Sequence, residues 1–305
     1  GKDHPGLNAL LFFEPTLQRG YKAWMKRLLT EDNPYTGIPL KNDPALAIIQ
    51  TVSEDTLLFW WLDKITGGPR RALERRFAQF AGRKHGSLEA ALDAWNATAK
   101  GDAPDEGRLA LYPMHALTQW PPAGNAARVR DQVEFLVRRE RDFYAEMKRY
   151  FQEELGCKQL VGPSNFHSAD PLRLDDAQRW AWTAADVIEL NDFFGTVVQG
   201  QHSFWRIQAG HFFTRPSATR TGDLPTRRKQ VVGQPFILSS TNWVPPNLYC
   251  AEGPILQACY GAMNGLDGFL WFAANAVAYD LDPYFRFVKV QGTHPMKRWT
   301  ISPPG

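Results

Sequence analysis

Glu54 closes an apolar run, Ala45-Leu46-Ala47-Ile48-Ile49-Gln50-Thr51-Val52-Ser53-Glu54-Asp55. Far downstream, Pro235-Phe236-Ile237-Leu238-Ser239-Ser240-Thr241-Asn242-Trp243 ends in the same manner. A carboxylate at the end of each of two such strands supplies the nucleophile and the acid/base that retaining cleavage of a glycosidic acetal requires. Only the first position has one, and Ser240 stands at the second. A serine hydroxyl does not offset oxocarbenium charge, and without an adjacent base it is a poor nucleophile. No histidine lies near Ser240 in sequence, although His167, His202 or His211 could approach it in space.

Other polar and aromatic residues fall at the ends of apolar runs. Ser53 precedes Glu54, Asn165 and His167 follow 159–163, and Asn191 and Phe193 follow 186–190. Asn242 and Trp243 follow 235–239, and Trp271 lies in 267–273. His202 and Trp205 belong to a loop over 195–230, and loops of that length in a compact domain are often functional. Asp192, Glu189 and Asp55 are the alternative second carboxylates. Glu252, at a helix start, reads as a capping residue. No cluster has metal-site spacing, so neither metal nor cofactor is expected. The three cysteines, Cys157, Cys250 and Cys259, read as buried thiols.

The bulk composition is that of a globular protein. At 305 residues and 44% hydrophobic, the chain can bury a large core. A net charge of +3 without a long basic run gives nucleic-acid binding no electrostatic support. The longest apolar stretches fall well short of the roughly 20 residues of a membrane span, so none is expected. Eleven Trp and nineteen Phe are mostly core, with a minority at strand ends able to stack on sugars.

These residues need elements to position them. Helical periodicity marks 14–30, an Arg/Ala/Glu-rich stretch at 69–98, a long charged helix over 125–156, then 175–184 and 251–264. The charges of 125–156 read as a solvated face. Strands are expected at 45–52 (fully buried), 159–163, 186–190, 235–239 and 267–273. Strands separated by helices imply a parallel sheet with right-handed crossovers. No glycine-rich phosphate loop follows any strand. Polar strand ends favour a closed (β/α)8 barrel over an open sheet.

Several motifs then carry a resemblance. Leu28-Leu29-Thr30, Asn33-Pro34-Tyr35-Thr36-Gly37, Asp43-Pro44-Ala45-Leu46-Ala47 and Glu54-Asp55 resemble clan A glycoside hydrolases, closest to the family 5 and cellulase-like group. Asn242-Trp243, Pro246-Asn247, Ala251-Glu252-Gly253-Pro254, Asp267 to Phe272 and Trp299 to Pro303 continue it. The resemblance implies a TIM barrel over 1–305 covering the fourth to eighth strands, truncated at both ends, with a helical insertion at 56–124. Nothing in 1–305 matches the first three strands, so either the chain is a fragment of a longer polypeptide or those strands are absent and something else covers the open edge. It places Glu54 at the acid/base position, Ser240 at the nucleophile position and Trp271 at the aromatic platform. Ser53 stands where the family has Asn. Asn191 and Phe193 stand where it has His and Tyr.

An oligosaccharide or polysaccharide partner follows from the resemblance, as does an extracellular or periplasmic location. Three readings are open. One is a weakly active or glycan-binding pseudoenzyme. Another is an active hydrolase with an inverting or substrate-assisted mechanism. The third is a structural barrel without a ligand.

Overall fold

The computed structural model describes residues 7–119, 125–195, 216–243 and 247–272, and the backbone of two short strands at 206–207 and 289–290. It divides into two compact units, Gly1–Ile188 and Glu189–Gly305. The helices are α1 (Pro15–Thr30), α2 (Trp61–Lys64), α3 (Gly67–His85), α4 (Leu88–Trp95), α5 (Met114–Thr118), α6 (Ala126–Arg149), α7 (Asp175–Trp182) and α8 (Gly253–Met263). The strands are β1 (Ile48–Gln50), β2 (Leu160–Gly162), β3 (Ile188–Asn191), β4 (Arg206–Ile207), β5 (Phe236–Thr241), β6 (Gly268–Trp271) and β7 (Lys289–Val290). The chain is a mixed α/β protein with small, parallel-paired sheets.

In the first unit β1 and β2 run parallel, Ile49 opposite Val161. The strand at 45–52 is not fully buried as expected. It shortens to three residues, of which Ile49 is buried while Ile48 and Gln50 are half-exposed. The stretch 69–98 is helical, in two pieces, α3 and α4. Gly86 turns the chain at φ 95°, and the Ser87 hydroxyl accepts a hydrogen bond from the Ala90 N–H, capping a new start. Helices α2 to α5 fill the interval between β1 and α6.

Helix α6 is the spine of this unit. Its apolar face buries Phe135, Leu136, Phe143, Tyr144 and Met147, and Phe12 packs edge-on to Phe143 at 5.1 Å. Its charges are not all solvated, as the sequence suggested: Arg128, Asp131 and Glu140 are buried. The core closes over them with partners. Arg128 lies between Trp95 and Tyr112 and donates from both terminal nitrogens to Asp102 at 2.7 Å. Asp131 accepts from Lys84, His85 and the Trp95 indole. Buried charges persist where they are paired and hydrogen-bonded in this way.

The second unit contains a sheet of order β3-β5-β6 with β5 parallel to β6, and the parallel pair β4–β7. Phe194, Leu224 and Trp243 form its apolar centre, with Leu256, Tyr260 and Trp271 packed around them. Trp243 requires a glycine beside it. A Cβ on Gly253 would meet the indole at 2.8 Å. Of the cysteines only Cys157 is buried. Cys250 is half-buried, and Cys259, on α8, is exposed. Two of the three thiols therefore depart from the expected burial: Cys259 lies on the solvent face of α8, and Cys250 in the short turn that precedes it. No described helix is long and apolar enough to cross a membrane.

Candidate functional site

The predicted site residues fall in both units, and each group is described by itself. In the first unit, Ser53 and Glu54 are exposed just past the C-terminal end of β1. Glu54 adopts φ 53°, the left-handed region. For a side chain of this kind that conformation costs roughly 1–2 kcal/mol, and it persists only where surroundings over-determine it. Three buried groups do so here. Asn165, following β2, accepts the Glu54 N–H on Oδ1 at 2.8 Å. Asp55 accepts the Ala9 N–H on both oxygens, at 2.8 and 2.9 Å. Glu140 accepts the Thr56 hydroxyl and the Leu57 N–H on Oε1, each at 2.5 Å.

Burial pushes the Asp55 carboxyl up to about 6 and the Glu140 carboxyl up to about 7. Both carboxyls are spent on main-chain and hydroxyl donors. Asp55, one of the alternative second carboxylates, therefore serves as a clamp on the loop.

Aromatic rings gather in the segments that follow Glu54 and Asn165. Phe59, five residues past Glu54, meets Phe166 edge-on at 4.8 Å and His167 at 5.5 Å. Phe166 and His167 stack at 4.8 Å, and the exposed His167 ring is oriented by its Nδ1 contact with the Ser168 carbonyl. Phe59 and Phe166 were not candidates in the sequence. The signal that could have found Phe166 is its position directly after Asn165; no local signal marks Phe59.

In the second unit, Asn191 ends β3 and Phe193 follows it, Ser240 lies in β5 and Trp271 ends β6. Adjacent strand residues point to opposite faces. It is Ser239, not Ser240, whose hydroxyl donates to Asn191 Oδ1, at 3.0 Å. Ser240 is 9% exposed, and its carbonyl accepts the Asp192 N–H at 3.0 Å. Asn242 is buried and donates from its side chain to the Phe272 carbonyl at 2.8 Å. Phe193 packs edge-on to Phe272.

Trp243 fills the core rather than standing at a surface, with 1% exposure. Its ring stacks between Phe194 and Trp271, and its Nε1 donates to Ser217 Oγ at 2.8 Å. The half-exposed Trp271 thus rests on a fixed indole. Glu252 does not cap its own helix. It accepts from the Ser217 hydroxyl and N–H and from the Ala218 N–H, tying that loop to the start of α8. Burial opposes ionisation there, but these bonds hold its carboxyl below the usual range.

The other alternative carboxylates are also engaged. Asp192 forms a two-pronged ion pair with Arg228, and Glu189 is buried within β3. A polar cavity of about 240 Å³ opens near Phe193, bounded by Asp223, Arg227 and Arg228. His202 and Trp205 lie outside the described residues. Among the described residues no His, Cys, Asp or Glu side chains group as a metal site.

No protein-family model matches the chain, and no curated protein does. Solved structures do. An exo-β-agarase superposes with a TM-score of 0.51 at 14% identity, over 86% of this chain and 33% of its own. A polyextremophilic β-galactosidase from the Antarctic haloarchaeon Halorubrum lacusprofundi gives a TM-score of 0.43 at 14% identity, over 86% of this chain and 36% of its own. The chain thus spans about a third of either neighbour's length. At this identity the likeness is one of fold.

Proposed function

We propose that this chain is a carbohydrate-active protein of glycosidase-like fold that binds glycans and hydrolyses them weakly or not at all. In this reading β1, β2, β3, β5 and β6 are the fourth to eighth strands of one TIM barrel over 1–305, with 56–124 inserted after the fourth. Glu54 holds the acid/base position and Ser240 the nucleophile position. Ser53, Asn165, Asn191, Phe193 and Asn242 line the sugar site, Trp271 is its platform, and Trp243 backs that platform. His202 and Trp205 belong to the loop over the cleft.

The observation that carries this reading is the backbone of Glu54. An exposed carboxylate is held in a left-handed conformation by a buried asparagine and two buried carboxyls. Strain of this kind clusters at ligand and catalytic sites. The fold likeness to an exo-β-agarase supports carbohydrate as the partner class. Binding is favoured over a rebuilt hydrolysis because Asp55, Asp192 and Glu189 are each committed elsewhere, to Ala9, to Arg228 and to the interior of β3.

Calorimetry across a panel of neutral β-linked oligosaccharides tests the reading. Micromolar to millimolar binding, weakened in Trp271→Ala, is expected. Absence of binding by every glycan would leave the chain a structural barrel.

A further inference from the structure

An open apolar groove of about 820 Å³ lies in the first unit, walled by α5, α6 and α7. No described residue of the proposed sugar site lines it. The sequence of α6 builds one wall. Val129, Val133 and Val137 recur every four residues and form an apolar row. Arg130, Glu134 and Arg138 repeat one position on and form a charged row beside it. Residues four apart on a helix share a face, one turn above the other. The other wall comes from α7 and the residues just before it, with Leu174 and Ala177 at the floor and Arg173 and Trp180 at the rim. Val129, Val137 and Leu174 are buried, whereas the rim arginines are exposed.

The rim is basic. Trp180 is 42% exposed, with the Arg141 guanidinium 4.6 Å and the Arg138 guanidinium 5.7 Å from its ring centre. Arg141 is anchored there by donating to the Trp180 carbonyl and the Thr183 hydroxyl. Glu134 is the one carboxylate among the described lining residues, and it already accepts from Lys84 at 2.5 Å and from Arg138 at 2.8 Å. Asp170 stands 3.6 Å from Arg173 in a partly exposed pair, which contributes little. Arg130 forms no ion pair among the described residues. Three arginines therefore surround an apolar floor whose single acid is already neutralised. Exposed Trp and Arg around such a floor is the composition of an interface centre.

Geometry selects the occupant. From Ala126 to Arg138 the α6 wall is about 18 Å long, a little over three helical turns. Ala126 and Ala177 are small enough to let a third helix axis approach to about 8–10 Å. No strand borders the groove among the described residues, so an extended segment would find no sheet edge to pair with. The basic rim requires acids on the flanks of whatever lies between its walls. We propose that the groove docks an acidic amphipathic helix of a partner protein. The apolar stripe of that helix lies on Val133, Val137 and Ala177, against Trp180. Its carboxylates meet Arg130 and Arg138 on one side and Arg173 on the other.

Fluorescence anisotropy tests this on the full chain with two labelled synthetic helices of about 18 residues, both carrying Leu and Ala on one face. One has Glu on both flanks and the other has Lys. The parent is expected to bind the Glu helix about ten-fold more tightly than the Lys helix, an advantage that shrinks as salt rises. The double variant Arg130→Glu/Arg138→Glu should reverse the preference. Arg173→Glu, on the other wall, should narrow it several-fold, and carries the test if the double variant does not fold by circular dichroism. Equal binding of the two helices, a preference unchanged in the variants, or no binding of either helix overturns the proposal. Phosphatidylglycerol vesicles that bind the parent but not the double variant, while the Glu helix stays free, would put a membrane in place of the helix and overturn it as well. So would self-association of the parent in sedimentation that the double variant loses, which would assign the groove to a second copy of this chain.

Discussion

Replacing Glu54 by glycine is expected to stabilise the first unit by about 1 kcal/mol, because glycine adopts φ 53° without steric cost. The same change should abolish whatever acid/base function the residue has. Thermal unfolding of Glu54→Gly and Glu54→Gln separates the two effects, since glutamine keeps the strain. Equal stability of both variants would mean that the backbone stores nothing at this position. On the platform side, Trp271→Ala should weaken glycan binding by on the order of 1–2 kcal/mol through lost stacking, read by calorimetry. Single residues were only partly legible in the sequence. Glu54 stood out because a carboxylate after an apolar strand is conspicuous. Glu140 did not, because a glutamate in Arg-Arg-Glu-Arg-Asp looks solvated until α6 is seen turning it inward. Ser240 drew attention at a strand end, whereas the hydroxyl that reaches Asn191 belongs to its neighbour Ser239. Period-two alternation near a register shift in β5 cannot be phased from sequence.

At the scale of elements, the tightest constraint is the approach of Trp243 to Gly253 at the start of α8. A methyl group there meets ring carbons at 2.8 and 2.9 Å, so Gly253→Ala should destabilise the second unit by about 1–3 kcal/mol. It should also disturb the near-ultraviolet circular dichroism of the stacked tryptophans. Wild-type stability and spectrum in that variant would show that α8 can shift to make room. Apolar periodicity placed β2, β3, β5, β6, α1, α7 and α8 to within a few residues of their observed bounds, whereas α6, expected to 156, ends at Arg149 and gives way to a π-helical turn over Tyr150–Glu154. Within the helical stretch 69–98 a local turn sets the division into two helices. Gly86-Ser87 split a stretch whose Arg, Ala and Glu content favours continuous helix. The tie from Glu252 to Ser217 spans 35 residues, and no local pattern announces it.

For the first unit as a whole, two sets of carboxyls set opposite limits on stability. Asp102, Asp131 and Asp186 are desolvated, yet hydrogen bonds and charge pairing with Arg128, Lys84 and Lys148 hold them below the usual range. Their contribution is present above the unfolded carboxylate pKa and is lost as pH falls through the folded one. Asp55 and Glu140 are raised, to about 6 and about 7. More protons are then bound folded than unfolded, so stability falls as pH rises from about 4 through 7, by on the order of 2–3 kcal/mol for Glu140. Stability of this unit should therefore peak near pH 4, and Glu140→Gln should flatten the decline above it. A denaturation series across pH checks both flanks. Stability that kept rising to pH 8 would contradict the assignment of buried neutral acids.

Release of nitrophenol from aryl β-glycosides tests most directly what the chain does to a glycoside. The parent, Glu54→Gln and Ser240→Glu are compared with and without azide, on substrates of the sugar class that binds. Little or no turnover is predicted for all three, with weak azide rescue at best, because in the proposed reading Ser53, Asn191 and Phe193 also stand where a retaining site has other residues. Ser240→Glu should restore little, since its new carboxylate would lack orienting partners. Robust turnover by the parent that disappears in Glu54→Gln would contradict the account, and would mean that another carboxylate or the substrate itself supplies the missing nucleophile.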